Sequence, residues 1–255
     1  MESLLAVNNV EKTYGKGTNT FKALEQISFE MAHGEFVGVM GPSGSGKSTL
    51  LNVLATIDAP TEGDIYIEKD NIAKMKEEKL ADFRRNHLGF IFQDYHLLDS
   101  LTVKENILLP LAIAKRPVAE MEKQVVAITK DFGIHSLLNK YPYQISGGQK
   151  QRTATCRALV NDPKMIFADE PTGALDSKAS EDFLERLSRL NEVRETTIMM
   201  VTHDAFAASF CRRILFIQDG QLSEEIVRQN QTRKQFFQTI MDVLARMRSG
   251  VDDIS

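Results

Sequence analysis

Gly41-Pro42-Ser43-Gly44-Ser45-Gly46-Lys47-Ser48-Thr49 decides how this sequence is read. The stretch follows the apolar run Phe36-Val37-Gly38-Val39-Met40 and precedes Leu50-Leu51-Asn52-Val53-Leu54, so it is a glycine loop between a buried strand and a helix. Gly41, Gly44 and Gly46 allow backbone conformations that other residues resist. Successive N–H groups can then turn inward around phosphate oxygens at the positive end of a helix. In such a cradle, to which Ser43, Ser45 and Thr49 also belong, the Lys47 ammonium reaches the outer phosphates and the Ser48 hydroxyl ligates Mg2+. An ordinary glycine-rich turn accounts for the glycines alone, not for every fixed position in a strand-to-helix setting.

The bulk properties leave this reading open and close others. With 255 residues the chain can bury a full core, as one large domain or two modest ones. A hydrophobic content of 42% and a charged content of 26% are those of a soluble globular protein. The net charge of -4 supplies no global attraction to nucleic acid or anionic lipid, and no nucleic-acid partner is expected. Cys156 and Cys211 form no CxxC pair and lack histidines at metal spacing, which points to a reducing cytoplasm, no structural zinc and small core filler. Met1-Glu2-Ser3 opens no signal peptide, and Ile107 to Ala114 is too short an apolar run to span a bilayer, so any membrane part is expected on another chain.

Around the loop the chain reads as α/β. Leu4 to Val10 and Leu24 to Met31 read as strands of a small antiparallel layer joined by a polar loop, Gly15 to Thr20. Tyr14, in that connection, offers an aromatic ring to stack on an adenine face, although a loop tyrosine by itself is an ordinary surface residue. Pro60-Thr61-Glu62-Gly63 turns into the alternating strand Asp64 to Ile67, Glu77 to Asn86 is a charged helix, and Leu88 to Phe92 is an apolar strand. Gln93 ends that strand, and its amide both donates and accepts, which suits a residue that touches Mg2+ or an attacking water in one state only.

From Gln93 to about Lys140 the pattern is helical. Thr102-Val103-Lys104-Glu105 has the form of a capping box and predicts a helix from about residue 103. Pro117 starts another, with Val118, Met121, Val125, Val126, Ile128 and Thr129 as its apolar face and Gly133 as its stop. Ile145-Ser146-Gly147-Gly148-Gln149 then opens a helix to about Val160, and its serine and glycines can make a second anion edge; on spacing alone, a flexible loop with an N-cap is the favoured reading of them.

Met165 to Glu170 is an apolar strand ending in two carboxylates. Asp169 is placed to hold Mg2+ through its water shell and Glu170 to polarise the water that attacks a terminal phosphate, although a strand simply reaching solvent also ends this way. Thr172 to Ser177 turns into a helix through about Leu190, and Thr196 to Val201 is a buried strand followed by His203, a hydrogen-bond donor to that phosphate or a structural histidine. Arg213 to Ile217, the turn Asp219-Gly220 and Gln221 to Val227 form a closing hairpin. Thr232 to Met247 carries Phe236, Phe237, Ile240, Val243, Leu244 and Met247 at helical spacing, either to cover the chain's own core or to meet a partner.

Taken together, these motifs resemble those of the ATP-binding-cassette ATPases. Gly41 to Thr49 matches the Walker A loop, Gln93 the Q-loop, Ile145 to Gln149 the family signature, Met165 to Glu170 the Walker B strand with its glutamate, Ala174 to Asp176 the D-loop, His203 the switch histidine and Tyr14 the adenine-stacking position. The resemblance implies a P-loop NTPase core with an antiparallel β layer and an inserted helical subdomain, about 94–160, within an ATPase domain spanning 1–228; residues 229–255 form a C-terminal amphipathic helix and tail. It implies ATP and Mg2+, with Ser48, Gln93 and Asp169 at the metal and Glu170, His203, Lys47 and Gln93 in catalysis. It also implies a second copy bound head to tail, so that Ser146, Gly147, Gly148 and Gln149 of one chain complete the ATP site of the other. An integral-membrane permease with many helices would hold the pair at the cytoplasmic face of the membrane.

Glu35 to Pro42, Asp58 to Gly63, Phe83 to Phe90 and Glu105 to Leu111 are similar to the subgroup serving lipoprotein release, macrolide export and antimicrobial-peptide resistance, and the C-terminal stripe is similar to that of its bacitracin-type members. A lipoprotein-release or cell-division cassette, and a soluble cassette acting on nucleic acid or ribosomes, are the alternatives.

Overall fold

A computed structural model describes residues 3–17 and 19–252. In chain order it contains β1 (Ser3–Lys16), β2 (Asn19–Ala32), β3 (Phe36–Met40), α1 (Lys47–Leu54), β4 (Glu62–Ile67), β5 (Asp70–Asn71), α2 (Glu77–His87), β6 (Leu88–Ile91), α3 (Val103–Ile113) and α4 (Val118–Asp131). There follow α5 (Gly147–Leu159), β7 (Met165–Asp169), α6 (Ser177–Arg194), β8 (Thr197–Val201), α7 (Ala205–Ala208), β9 (Arg213–Gln218), β10 (Gln221–Val227) and α8 (Arg233–Asp252). Two compact units emerge: Met1–Lys74 with Met199–Ser255, and Met75–Ile198.

The first unit holds an antiparallel sheet in the order β2-β1-β4-β5. Strand β1 buries Leu4, Leu5, Val7 and Val10, and its register against β2 shifts between Val7 and Val10, where the strand bends. The hairpin is tighter than the sequence suggests. Pairing continues through Tyr14↔Phe21 to Lys16↔Asn19, so Tyr14 sits in a strand and not in a loop. Extending the ladder satisfies backbone groups that a polar loop would leave to water. In β4, Ile65 and Ile67 are buried and alternate with Asp64 and Tyr66, as the period-two pattern requires.

In the same unit β3, buried throughout, runs parallel to β9 in the register Val37↔Arg213 to Met40↔Phe216, and β10 returns antiparallel to β9. Asp219 and Gly220 have φ of 49° and 78°, the pair of positive values that a two-residue hairpin turn of this hand needs. Helix α8 packs its stripe onto its own unit: Phe236, Ile240 and Val243 are fully buried, and the Arg233 guanidinium lies 4.3 Å from the Phe210 ring centroid. Phe237, Leu244 and Met247 are only half-buried.

The second unit pairs β6 parallel to β7, Leu88↔Met165 to Ile91↔Ala168. Helix α3 begins with the expected capping box, in which the Glu105 N–H donates to Thr102 Oγ1 at 3.2 Å and the Thr102 N–H to Glu105 Oε2 at 2.7 Å. Helix α4 departs from its pattern. Only Val125, Ile128 and Thr129 are buried; Val118, 68% exposed, lies in the N-terminal half, which is not packed, and Val126, 37% exposed, is turned about 100° around the helix from Val125 and so off the packed face. It ends where expected, at Gly133 with φ 65°, with the Ile134 N–H closing back on Thr129 O at 2.9 Å.

Cys156 and Cys211 are buried and free, and burial pushes both thiols above their ordinary pKa. Among the described residues no helix is long and apolar enough to cross a membrane.

Candidate nucleotide-binding site

In the first unit the loop 41–46 leaves the carboxyl end of β3 and enters α1, the end of a parallel strand at which open α/β sheets bind ligands. Gly46 caps the helix with φ 101°, and a Cβ there would come within 2.6 Å of Ala23 O, so the position demands glycine on both counts. Lys47 is buried and turns back over the loop, with its ammonium donating to Gly41 O at 3.0 Å and Pro42 O at 2.7 Å. The loop is braced from behind, where the Gly220 N–H donates to Ser45 O at 3.1 Å and Gly220 O accepts from the Glu25 N–H at 2.8 Å.

Ser43 and Ser48 are exposed on this loop and helix, Thr49 is half-buried, and Ser45 is buried with its hydroxyl unsatisfied. An unsatisfied buried hydroxyl beside a lysine and a left-handed glycine turn is the donor set that a phosphate oxygen would complete, so the residues fit a nucleotide.

Two other expected residues lie in this unit. The Thr202 N–H donates to Val39 O at 3.1 Å, which sets the exposed His203 at the same strand-end edge as the loop. The Tyr14 phenol donates to Asp58 Oδ2 at 2.8 Å and also hydrogen-bonds the Thr49 side chain. Desolvation and the Asp58 carboxylate raise the phenol's pKa. At Asp58 burial alone would raise the carboxyl, but hydrogen bonds from Lys12, Tyr14 and the Ala59 N–H outweigh it and hold the pKa below its ordinary value.

In the second unit, Gln93 follows β6 and lies against Gly173, where an added Cβ would meet its Nε2 at 3.0 Å. Gly173 belongs to the turn that follows Asp169 and Glu170: its N–H donates to Glu170 O at 3.0 Å, and Glu170 itself adopts φ 44°. Gln93 thus lies against the turn that follows the two carboxylates. Ser146 caps α5, accepting from the Gln149 N–H at 3.4 Å, while the Gln149 side chain accepts from the Ser146 N–H at 3.0 Å. These side chains are occupied by the cap, and the anion edge at Gly147 and Gly148 is left to backbone N–H groups of the first turn. Tyr95 joins this edge to the turn, its hydroxyl donating to Ala174 O at 3.3 Å and lying 3.0 Å from where a Gly147 Cβ would be.

Several residues that hold these groups carry no local signal in the sequence. Gln151, fully buried, donates from Nε2 to Pro171 O at 2.6 Å and to Phe92 O at 3.5 Å, tying together the segments next to Glu170 and Gln93. The Arg157 guanidinium, its pKa lowered by desolvation, holds His96 O at 2.5 Å and Tyr95 O at 2.8 Å, and both of those residues have positive φ, 47° and 61°. A glutamine three residues beyond a glycine pair carries no signal of its own; only its 0% exposure identifies it.

Residues 24–173 match the family model described as ABC transporter. The ABC transporter ATP-binding protein YxdL of Bacillus subtilis is 50% identical over 255 residues, covering 100% of this chain and 98% of the relative. The bacitracin export ATP-binding protein BceA of Halalkalibacterium halodurans is 50% identical over 239 residues, 94% of each chain. The solved dimeric post-hydrolysis state of the Methanocaldococcus jannaschii ATP-binding cassette MJ0796, bound to ADP and Pi, superposes with a TM-score of 0.80 at 40% identity, covering 88% of this chain and 98% of that one. Matched over more than half its length by the family model, and nearly end to end by half-identical relatives, the chain belongs to the ABC transporter family as an ATP-binding, ATP-hydrolysing subunit.

Proposed function

We propose that this ATPase drives a membrane permease that protects the cell against bacitracin-like, cell-wall-directed peptides. The observation that carries ATP use at Gly41 to Thr49 is the buried, unsatisfied Ser45 hydroxyl in a loop over which Lys47 has folded. Lys47 and the loop amides stabilise charge on the outer phosphates. Ser48 and Asp169 would hold Mg2+, with Gln93 alongside; the ion would neutralise phosphate charge, and such sites need few protein carboxylates because the phosphates supply ligands. Glu170 accepts the proton of the attacking water, and His203 and Gln93 report the presence of the terminal phosphate. Tyr14 stacks on the adenine.

Two copies act together. Ser146 to Gln149 of one chain closes over the nucleotide held by the other, so closure draws free energy from contacts that exist only with the terminal phosphate in place. The dimeric state of the cassette MJ0796 supports this arrangement. The pair sits at the cytoplasmic face of the membrane, bound to the permease. The peptide-resistance reading is supported by the one relative named for bacitracin export, matched over 94% of this chain.

A deletion strain complemented with wild type or Lys47→Ala tests the proposal. The expected result is selective sensitivity to bacitracin that wild type corrects and Lys47→Ala does not. Unchanged bacitracin sensitivity in the deletion strain would overturn the peptide-resistance reading.

A further inference from the structure

Lys12, Tyr14 and Asp58 form a closed set on one side of the first unit. The Lys12 side chain is 11% exposed, and its ammonium donates to Asp58 Oδ1 at 2.7 Å and to Ala59 O at 2.7 Å. The same ammonium stands 4.8 Å above the centroid of the Tyr14 ring. Asp58 accepts from the Tyr14 phenol through its other oxygen at 2.8 Å, and the Ala59 N–H fixes its Oδ1 at 2.8 Å. The ring is therefore held at its rim by a carboxylate, under one face by a cation, and by Thr49 next to the phosphate loop. It nevertheless keeps 41% of its surface exposed.

We propose that Lys12 and Asp58 are positioning residues for the nucleotide base. They fix Tyr14 as a flat platform, with one face covered by an ammonium and the other presented to a purine. This rests on the ATP site proposed above and on Tyr14 as its stacking group. A side chain that is free to rotate must be immobilised when a base stacks on it, whereas this ring is already tethered at the phenol. Burying a lysine is costly unless it is fully paired, and here its donors are spent on Asp58, on a backbone carbonyl and on the ring face, an arrangement out of proportion to a surface tyrosine with no ligand to receive.

Isothermal titration of the full chain with ATP and, separately, with inorganic tripolyphosphate tests the proposal. Tyr14→Ala should weaken ATP binding by about tenfold, the scale of base–aromatic stacking, and leave tripolyphosphate binding unchanged. Asp58→Asn and Lys12→Met should each weaken ATP by about three- to tenfold, the cost of freeing one side chain, again without touching tripolyphosphate. In the Tyr14→Ala background Asp58→Asn should add nothing. Should either charge variant fail to fold, Tyr14→Phe, which keeps the ring and the Lys12–Asp58 pair, should still cost ATP about threefold.

Equal losses for both ligands would overturn the positioning role, and so would an Asp58→Asn effect that persists in the Tyr14→Ala background. If the unmodified chain binds neither ligand, the ATP site itself fails, an outcome distinct from loss of base positioning.

Discussion

Gln151→Leu isolates the contact that holds the turn after Glu170, the proposed base. The side chain is fully buried, and its Nε2 supplies Pro171 O with a donor at 2.6 Å. Phe92 O is less exposed to the change, since it also accepts from the Tyr95 N–H at 3.4 Å. Leucine is similar in volume, so no cavity opens, but the Pro171 carbonyl is left buried without its donor at a cost of about 1–3 kcal/mol. The backbone relieves that cost by moving, and the residue before Pro171 is Glu170, already in a left-handed conformation at φ 44°. A displacement of about 1 Å in a group that orients the attacking water lowers turnover by about a hundredfold.

The expected result is a kcat for ATP reduced by tenfold or more, about 10–100-fold, with ATP affinity within about twofold of wild type, because the phosphate loop lies in the other unit. Phosphate release at saturating ATP gives the first quantity, titration with a non-hydrolysed analogue the second, and a thermal melt confirms folding. A folded Gln151→Leu protein that turns over within about twofold of wild type would refute the reasoning, since Gln151 would then not hold the Glu170 turn.

Phe236→Ala, at a position with 0% exposure, should destabilise the first unit by about 3–5 kcal/mol in thermal or denaturant melts, whereas Phe237→Ala should cost well under half of that. Equal effects would remove α8 from the core. Gly46→Ala places a Cβ 2.6 Å from Ala23 O at φ 101°, so titration should find ATP binding lost or the chain misfolded; wild-type affinity would contradict the loop geometry. The buried thiols give a pH prediction. Both Cys156 and Cys211 are raised above the ordinary 9.0, so the unfolded chain ionises first. Stability is intact below that pH and falls as pH rises through it, which urea midpoints from pH 7 to 10.5 would register and which Cys156→Ala with Cys211→Ala should flatten.

The features readable in advance are those written in neighbouring residues. The phosphate loop, the Thr102 and Ser146 caps and the Asp219-Gly220 turn each depend on a local backbone conformation that a few adjacent side chains select. Tyr14 was legible as an aromatic near the loop, but its strand position was not, because cross-strand pairing with Phe21 is a tertiary fact. The anchoring residues were hidden for the same reason. Lys12 meets Asp58 across 46 positions, and Gln151 meets Pro171 across 20. Neither residue type announces its partner, and only burial together with hydrogen-bond accounting shows that each is committed. The exposed Val118 marks the opposite limit, since helical periodicity names a face without saying how far along it a neighbour extends, and Val126 shows that the packed face is narrower than the apolar pattern.

In the proposed function ATP is bound between two copies and hydrolysed through Glu170. Sedimentation of Glu170→Gln with saturating ATP, with ADP and without nucleotide tests that most directly. It should sediment as a dimer with ATP and as a monomer in the other two conditions, with the ATP dimer persisting because turnover is very slow. A monomer under all three conditions, or an ATP dimer that decays as fast as wild type, would contradict it.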